Sequence, residues 1–176
     1  MKGLVTMAAG IDLRDALLDT WRTSNRLTVY LFENLPDELW AEKVPGAPRR
    51  TVRMIAGHIH NCRCMWIKAL GRKHGVTVPQ GVDRHKVTRD QLIPALQRSS
   101  AGIIRLIEIG LDAGGKISGF PPDILHFTAY HVAHEAHHRG QIIMIARQVG
   151  KPLPKEVTTS GMWNWSKRAK EARTQT

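Results

Sequence analysis

The residues best placed to do chemistry are histidines. Nine occur in 176 residues, and five of them fall between positions 126 and 138. His134 and His138 are four apart, a spacing that on a helix stacks two imidazoles on one face, from which both can reach one ion. Ile124, Thr128, His131, Ile142 and Ile145 share that side, so the pair points toward an apolar interior. Ring nitrogens there are costly unless something satisfies them. A metal would do so, and so would hydrogen bonds within a core; the pair alone does not choose. His58, between Ile55 and Ile59, adds a third imidazole from the inward side of a different segment. Three neutral imidazoles from two helices leave coordination positions open, as catalytic or ligand-binding metal sites do and closed structural sites do not.

Other residues around these three invite weaker readings. His131, one turn before His134, either lines the same pocket or is a hydrogen-bonded core histidine. Gln141 can orient a ligand imidazole from behind. Arg139 reads as a surface or dimer salt bridge in preference to a substrate contact. His60 lies about 200° around the helix from His58 and is expected outside. His74 and His85 fall in a loop with no visible partners. Cys62, one turn after His58, competes as a ligand, although a small buried hydrophobe is the preferred role. Cys62 and Cys64 are two apart, which points their side chains in different directions and argues against a disulfide between them. The run His134-Glu135-Ala136-His137-His138 is also a literal HExxH, the spacing with which metalloproteases hold zinc while the glutamate acts as general base. No strand pattern supplies the substrate-binding edge such proteases use, so this stays a secondary alternative.

The elements that must position these side chains read as helices. Leu13, Leu17, Leu18, Trp21, Leu27, Tyr30, Leu31 and Leu35 recur at three- and four-residue steps, predicting one amphipathic helix over 11–35 that Pro36 ends. Residues 36–50 hold three prolines and Gly46 and form a connector, with a single helical turn around Asp37–Trp40. Thr51 caps a second helix reaching about Arg72. A polar crossover over 71–87 follows. Thr88 and Gln91 have capping-box spacing and open a third helix to about Leu111, in which Pro94 should bend or delay the start. Gly114 and Gly115 stop it. Pro121 and Pro122 open a fourth helix that runs to about Val149 and closes at Gly150. Residues 151–176 form a tail, and Trp163 and Trp165 suggest that it packs back on the body. The expectation is an all-α protein: one domain over 1–176, a four-helix bundle with long crossover connections.

Composition narrows the function classes. The 42% apolar content excludes wholesale disorder, and no apolar run approaches the ~20 residues of a membrane span. Asp12, Arg14 and Asp15 interrupt the N-terminal apolar patch before a secretory signal could form, so a reduced, cytoplasmic protein is expected. Lys plus Arg exceed Asp plus Glu by 26 to 15, for a net charge of +11. That excess admits nucleic acid, an anionic surface or an acidic small molecule as partner. The basic residues lie in separate clusters with no nucleic-acid-binding signature between them, so nucleic acid is possible but not favoured.

The run from His134 to Ile142, HEAHHRGQI, resembles the HxxxHRGQ signature of the DinB/YfiT-like metalloenzymes. The segment Thr51–Ile59 (TVRMIAGHI), followed by Trp66, is similar to that family's second-helix motif with its lone histidine, and Leu153-Pro154 with Gly161–Trp165 is similar to tails of some members. The resemblance covers about residues 11–170. It implies a four-helix bundle, commonly a homodimer, with a divalent metal (zinc, nickel, iron or manganese) held by His58, His134 and His138. Relatives include S-transferases that use low-molecular-weight thiols such as bacillithiol or mycothiol, a thiol-dependent isomerase and hydrolase-like members. The function implied is a metal-dependent enzyme acting on a small molecule, by thiol transfer or hydrolysis. A metal with open positions suits both, since it lowers the pKa of water and binds a thiol as thiolate. The alternative from another class is a non-enzymatic metal- or ligand-binding bundle, or a stress-induced, basic, nucleic-acid-associated one.

Overall fold

The computed structural model describes residues 10–120 and 123–174. The expected role of Pro121 and Pro122, and the readings of the first nine residues, therefore lie outside the described residues. Four long helices carry the fold: α1 (Leu13–Glu33), α3 (Val52–Trp66), α4 (Arg89–Asp112) and α5 (Ile124–Gln148). Between α1 and α3 lie the single turn α2 (Asp37–Trp40) and a short hairpin of β1 (Lys43–Val44) and β2 (Ala47–Thr51); α6 (Trp165–Thr174) ends the chain. α1 packs on α4, α5 and α6, and α3 packs on α4 and α5. The fold is all-α, and among the described residues no helix is long and apolar enough to cross a membrane.

Each long helix starts where a side chain satisfies its free N–H groups. Asp12 accepts from the N–H of Asp15, Thr51 from Met54 and Asp123 from His126, and Thr88 forms the full reciprocal box with Gln91. α4 begins at Arg89 and continues through the exposed Pro94, so the proline does not delay it. α3 is shorter than expected: after Trp66 the chain widens into a π turn over Ile67–Gly71 and then tightens over Arg72–His74.

Two elements differ from the sequence expectation. The 36–50 connector contains the hairpin, with Lys43 opposite Thr51 and Val44 opposite Ala47 across a bulge. Its turn is made by Pro45-Gly46, with Gly46 at φ 75°, a conformation open to glycine and strained for other residues. The tail contains helix α6, whose low apolar content gave no periodicity to read. Arg26 donates to Glu171 at 2.7 Å, Arg173 pairs with Asp19, and the Arg168 guanidinium sits 4.0 Å over the Tyr30 ring. The two tryptophans that drew attention to this segment are not its anchors: Trp163 is 79% and Trp165 43% exposed.

The apolar interior falls into two clusters. One gathers Phe32, Leu35, Leu39, Val52, Ile55, Ile59, Leu92, Leu96, Ile142 and Ile145; the other gathers Leu17, Leu18, Trp21, Ile67, Leu70, Ile103, Leu106, Ile124 and Phe127. Along α1, α3 and α5 the boundary between them is marked by buried polar residues: Ser24, Thr28, Arg63, Glu135, His131 and Arg139.

Candidate metal centre

α3 and α5 bring His58, His134 and His138 together. The Nε2 atoms of His58 and His134 are 3.2 Å apart and those of His134 and His138 3.1 Å apart, and the three donor atoms all lie within 4.8 Å of one another. Three nitrogens bound at the usual 2.0–2.1 Å around one ion would stand about 3.0–3.4 Å from each other. The rings meet edge to face, with His58–His138 centroids at 4.8 Å and His134–His138 at 4.5 Å. Among the described residues this is the group of histidine, cysteine and acidic side chains that could hold an ion.

The donor set suits a cation in its protonation state. Nδ1 of His138 lies 2.8 Å from Oε1 of Gln141, an acceptor, so Nδ1 carries the proton and Nε2 presents a lone pair to the shared point. Burial pushes His138 down to about 4, with the Gln141 bond opposing and neighbouring His134 and His58 adding to the fall. Burial also lowers His58, helped by the charges of His134, Arg84 and Arg50. His134 falls for the same first reason, against the pull of Glu135. Each neutral imidazole carries a single N–H, so hydrogen bonds among the three rings satisfy the cluster only in part, whereas a divalent ion would take up all three Nε2 lone pairs.

The arrangement is fixed from behind by a buried ion pair that the sequence reading did not find. Arg63 of α3 donates from Nε to Oε1 of Glu135 at 2.6 Å and from its terminal nitrogen to Oε2 at 2.8 Å. Thr28 of α1 donates to the same carboxylate at 2.7 Å. The second terminal nitrogen of Arg63 is held by Asn25 and by the carbonyl of Leu96, each at 2.8 Å. Burial pushes the Glu135 carboxyl up, but the adjacent Arg63 overrides it and the net shift is downward. Glu135 is wholly buried and committed to this pair, so it does not face the metal centre as the base of an HExxH protease must.

Three neighbouring residues also stand differently from expectation. Arg139 is not at the surface: it is 6% exposed, donates to Thr28 at 2.7 Å and lies 3.9 Å from Glu135. His60 is not outside but fully buried, because α4 covers that side of α3; its Nε2 donates to the carbonyl of Gln80 at 2.9 Å and its Nδ1 lies 3.0 Å from Ser99 Oγ. His131 is buried without a hydrogen-bond partner on either nitrogen among the described residues. It is enclosed by aromatic rings, with centroids of Phe127 at 4.6 Å, Tyr130 at 5.4 Å and Trp21 at 5.7 Å, and burial pushes it down to about 3. Cys62 and Cys64 are buried, unpaired thiols whose pKa burial raises, Cys64 to about 11, so neither is thiolate near neutral pH.

His58 opens onto a cavity of about 490 Å³ formed by the hairpin, α3 and the crossover, lined by Ala47, Pro48, Arg49, Arg50, Met54 and Arg84. That volume lies within the usual range for small-molecule sites. Arrangement and sequence then meet in comparison with known proteins. No curated protein and no solved structure matches this chain. A family model described as the DinB superfamily matches residues 20–142, a span that contains all three converging histidines, and the chain therefore belongs to the DinB superfamily.

Proposed function

We propose that this chain is a divalent-metal-dependent enzyme that acts on a small molecule, by transfer of a thiol to an electrophile or by hydrolysis. The observation that carries the reading is the convergence of the His58, His134 and His138 Nε2 atoms from two helices. An ion there would supply a Lewis acid that makes water or a thiol nucleophilic near neutral pH. The rest is done by the chain. Gln141 holds the His138 ring in the tautomer that offers Nε2. The Arg63–Glu135 pair locks α3 to α5 and so fixes the spacing of the ligands. The cavity beside His58 admits the substrate, and Met54, Ala47 and Pro48 give it an apolar wall.

The test is elemental analysis of protein purified without a polyhistidine tag, with a screen of thiols against electrophiles and of hydrolysable small molecules. The expected result is one divalent ion per chain, lost in His58→Ala and His138→Ala, and turnover that disappears with it. Failure of the wild-type protein to retain any divalent ion would overturn the reading. So would duplex or single-strand nucleic-acid binding that weakens steeply with salt and survives both substitutions, which belongs to a basic binding protein.

A further inference from the structure

The cavity at His58 is lined by cations that no carboxylate among the described residues neutralises. Arg14, Arg22, Arg26, Arg63, Arg89, Arg105, Arg139, Arg168 and Arg173 all pair with carboxylates. The side chains of Arg49, Arg50 and Arg84, which line the cavity, have no ion-pair or hydrogen-bond partner among the described residues. All three are exposed and screened by solvent, yet their gathering at one concavity makes a positive potential there that favours an anion.

The chain also places one of these cations with care. Arg84 belongs to a crossover without regular structure, yet the segment is tied down on both sides of it. Asn61 of α3 donates to the Val82 carbonyl at 2.9 Å and accepts from its N–H at 2.8 Å. Arg53 of α3 donates to the His85 carbonyl at 3.2 Å. Gly57, next to His58, leaves the room: a Cβ there would stand 3.2 Å from Arg84 Cγ and 3.4 Å from its Cα. Arg49 and Arg50 come from β2, as do the apolar lining residues Ala47 and Pro48, and Met54 comes from α3.

We propose that this cavity is the subsite for an anionic group of the substrate, a carboxylate or a phosphate ester on a small apolar body, gripped by Arg50 and Arg84, with Arg49 also in the lining. Arg50 and Arg84 are the two arginines whose charges act on His58. The inference rests on the metal-enzyme reading above, because it is His58 that makes the cavity adjacent to the reacting centre. Planar guanidinium forks match both anions bidentately, and the apolar lining of Ala47, Pro48 and Met54 accepts the carbon skeleton. The concave shape and limited volume favour a small molecule over a polymer lying across the surface.

The experiment is calorimetric titration of inorganic phosphate and of succinate into zinc-loaded and zinc-free protein, at fixed ionic strength in chloride. The variants are Arg50→Gln, Arg84→Gln, the double substitution and Arg72→Gln as a remote exposed control, with folding checked by circular dichroism. Loss of one charge-assisted contact at a solvent-open site should weaken binding about tenfold, and the double substitution about a hundredfold. Arg72→Gln should change nothing, and zinc content should match wild type throughout. Tighter binding of phosphate identifies a phosphate ester; tighter binding of succinate identifies a carboxylate. If zinc-loaded wild-type and double-variant proteins bind both anions equally, or not at all, the subsite is refuted while zinc retention leaves the metal reading standing. Anion binding that needs zinc but ignores the arginines refutes it in the same way. Arginine-dependent binding in a protein that retains no zinc would uphold the anion site and overturn the metal reading.

Discussion

Replacing Glu135 with leucine tests whether this residue is a structural strut or a reacting group. The substitution leaves Arg63, 1% exposed, without its two carboxylate bonds, and leaves Arg139 without the carboxylate 3.9 Å away. Two buried guanidiniums would then face each other across a gap. Removing one partner of a buried ion pair costs about 3–5 kcal/mol, a large part of the ~5–15 kcal/mol by which a domain is stable. At about 2–4 °C per kcal/mol for a chain of this size, the melting temperature should fall by roughly 6–20 °C. Adding Arg63→Met removes the stranded charge, so the double variant should be more stable than the sum of the two single losses by about 2 kcal/mol or more. Urea denaturation of the four proteins gives the cycle, and zinc affinity of the folded protein should weaken together with stability, because the pair sets the spacing of the ligands. A Glu135→Leu protein of unchanged stability that had lost its metal or its turnover would refute the argument and return Glu135 to the reacting centre.

His131 at about 3 and His138 at about 4 sit below the ordinary 6.5, so between those values the unfolded chain binds protons that the folded one refuses. Stability of the metal-free protein should therefore fall as pH drops from about 6.5 toward about 4, and flat denaturation midpoints across that window would contradict it. Gln141→Leu should weaken zinc binding about 10–100-fold in competition with a chelating dye, with a stability change within about 1 kcal/mol; unaltered affinity would show that the His138 tautomer is set by something else. Gly46→Ala forces a side chain to φ 75° and should cost about 1–2 kcal/mol in urea melts, an effect whose absence would mean the hairpin turn is not held as described.

The legible parts of the molecule were those encoded locally. Thr51 with Met54 and Thr88 with Gln91 mark helix starts through neighbours three residues away, and the His134–His138 spacing is itself a statement about one helix face. The side of α3 that carries His60 was misread because periodicity reports one buried face, whereas α3 is sandwiched between α4 and α5 and buried on two. Arg139 and Arg63 carry no local sign that a charge will be buried. Only the meeting of α1, α3 and α5 creates Glu135's pocket. α6 was missed because ion pairs to α1, which leave no hydrophobic period, are what hold much of it. The hairpin was hidden by its prolines, which read as irregular connector and mark a turn.

The charged stratum between the two apolar clusters acts as a vernier for the whole assembly. Greasy helix faces tolerate slippage, since one leucine contact resembles the next. A carboxylate that must meet two guanidinium nitrogens does not. Sliding α5 along α3 by one turn, about 5.4 Å, would strip Glu135 of Arg63 entirely and carry His134 and His138 away from His58 together. The alignment of the three imidazoles is thus dictated by an ion pair whose side chains bond to none of them, and any change that loosens that pair should blur the centre before it melts the bundle.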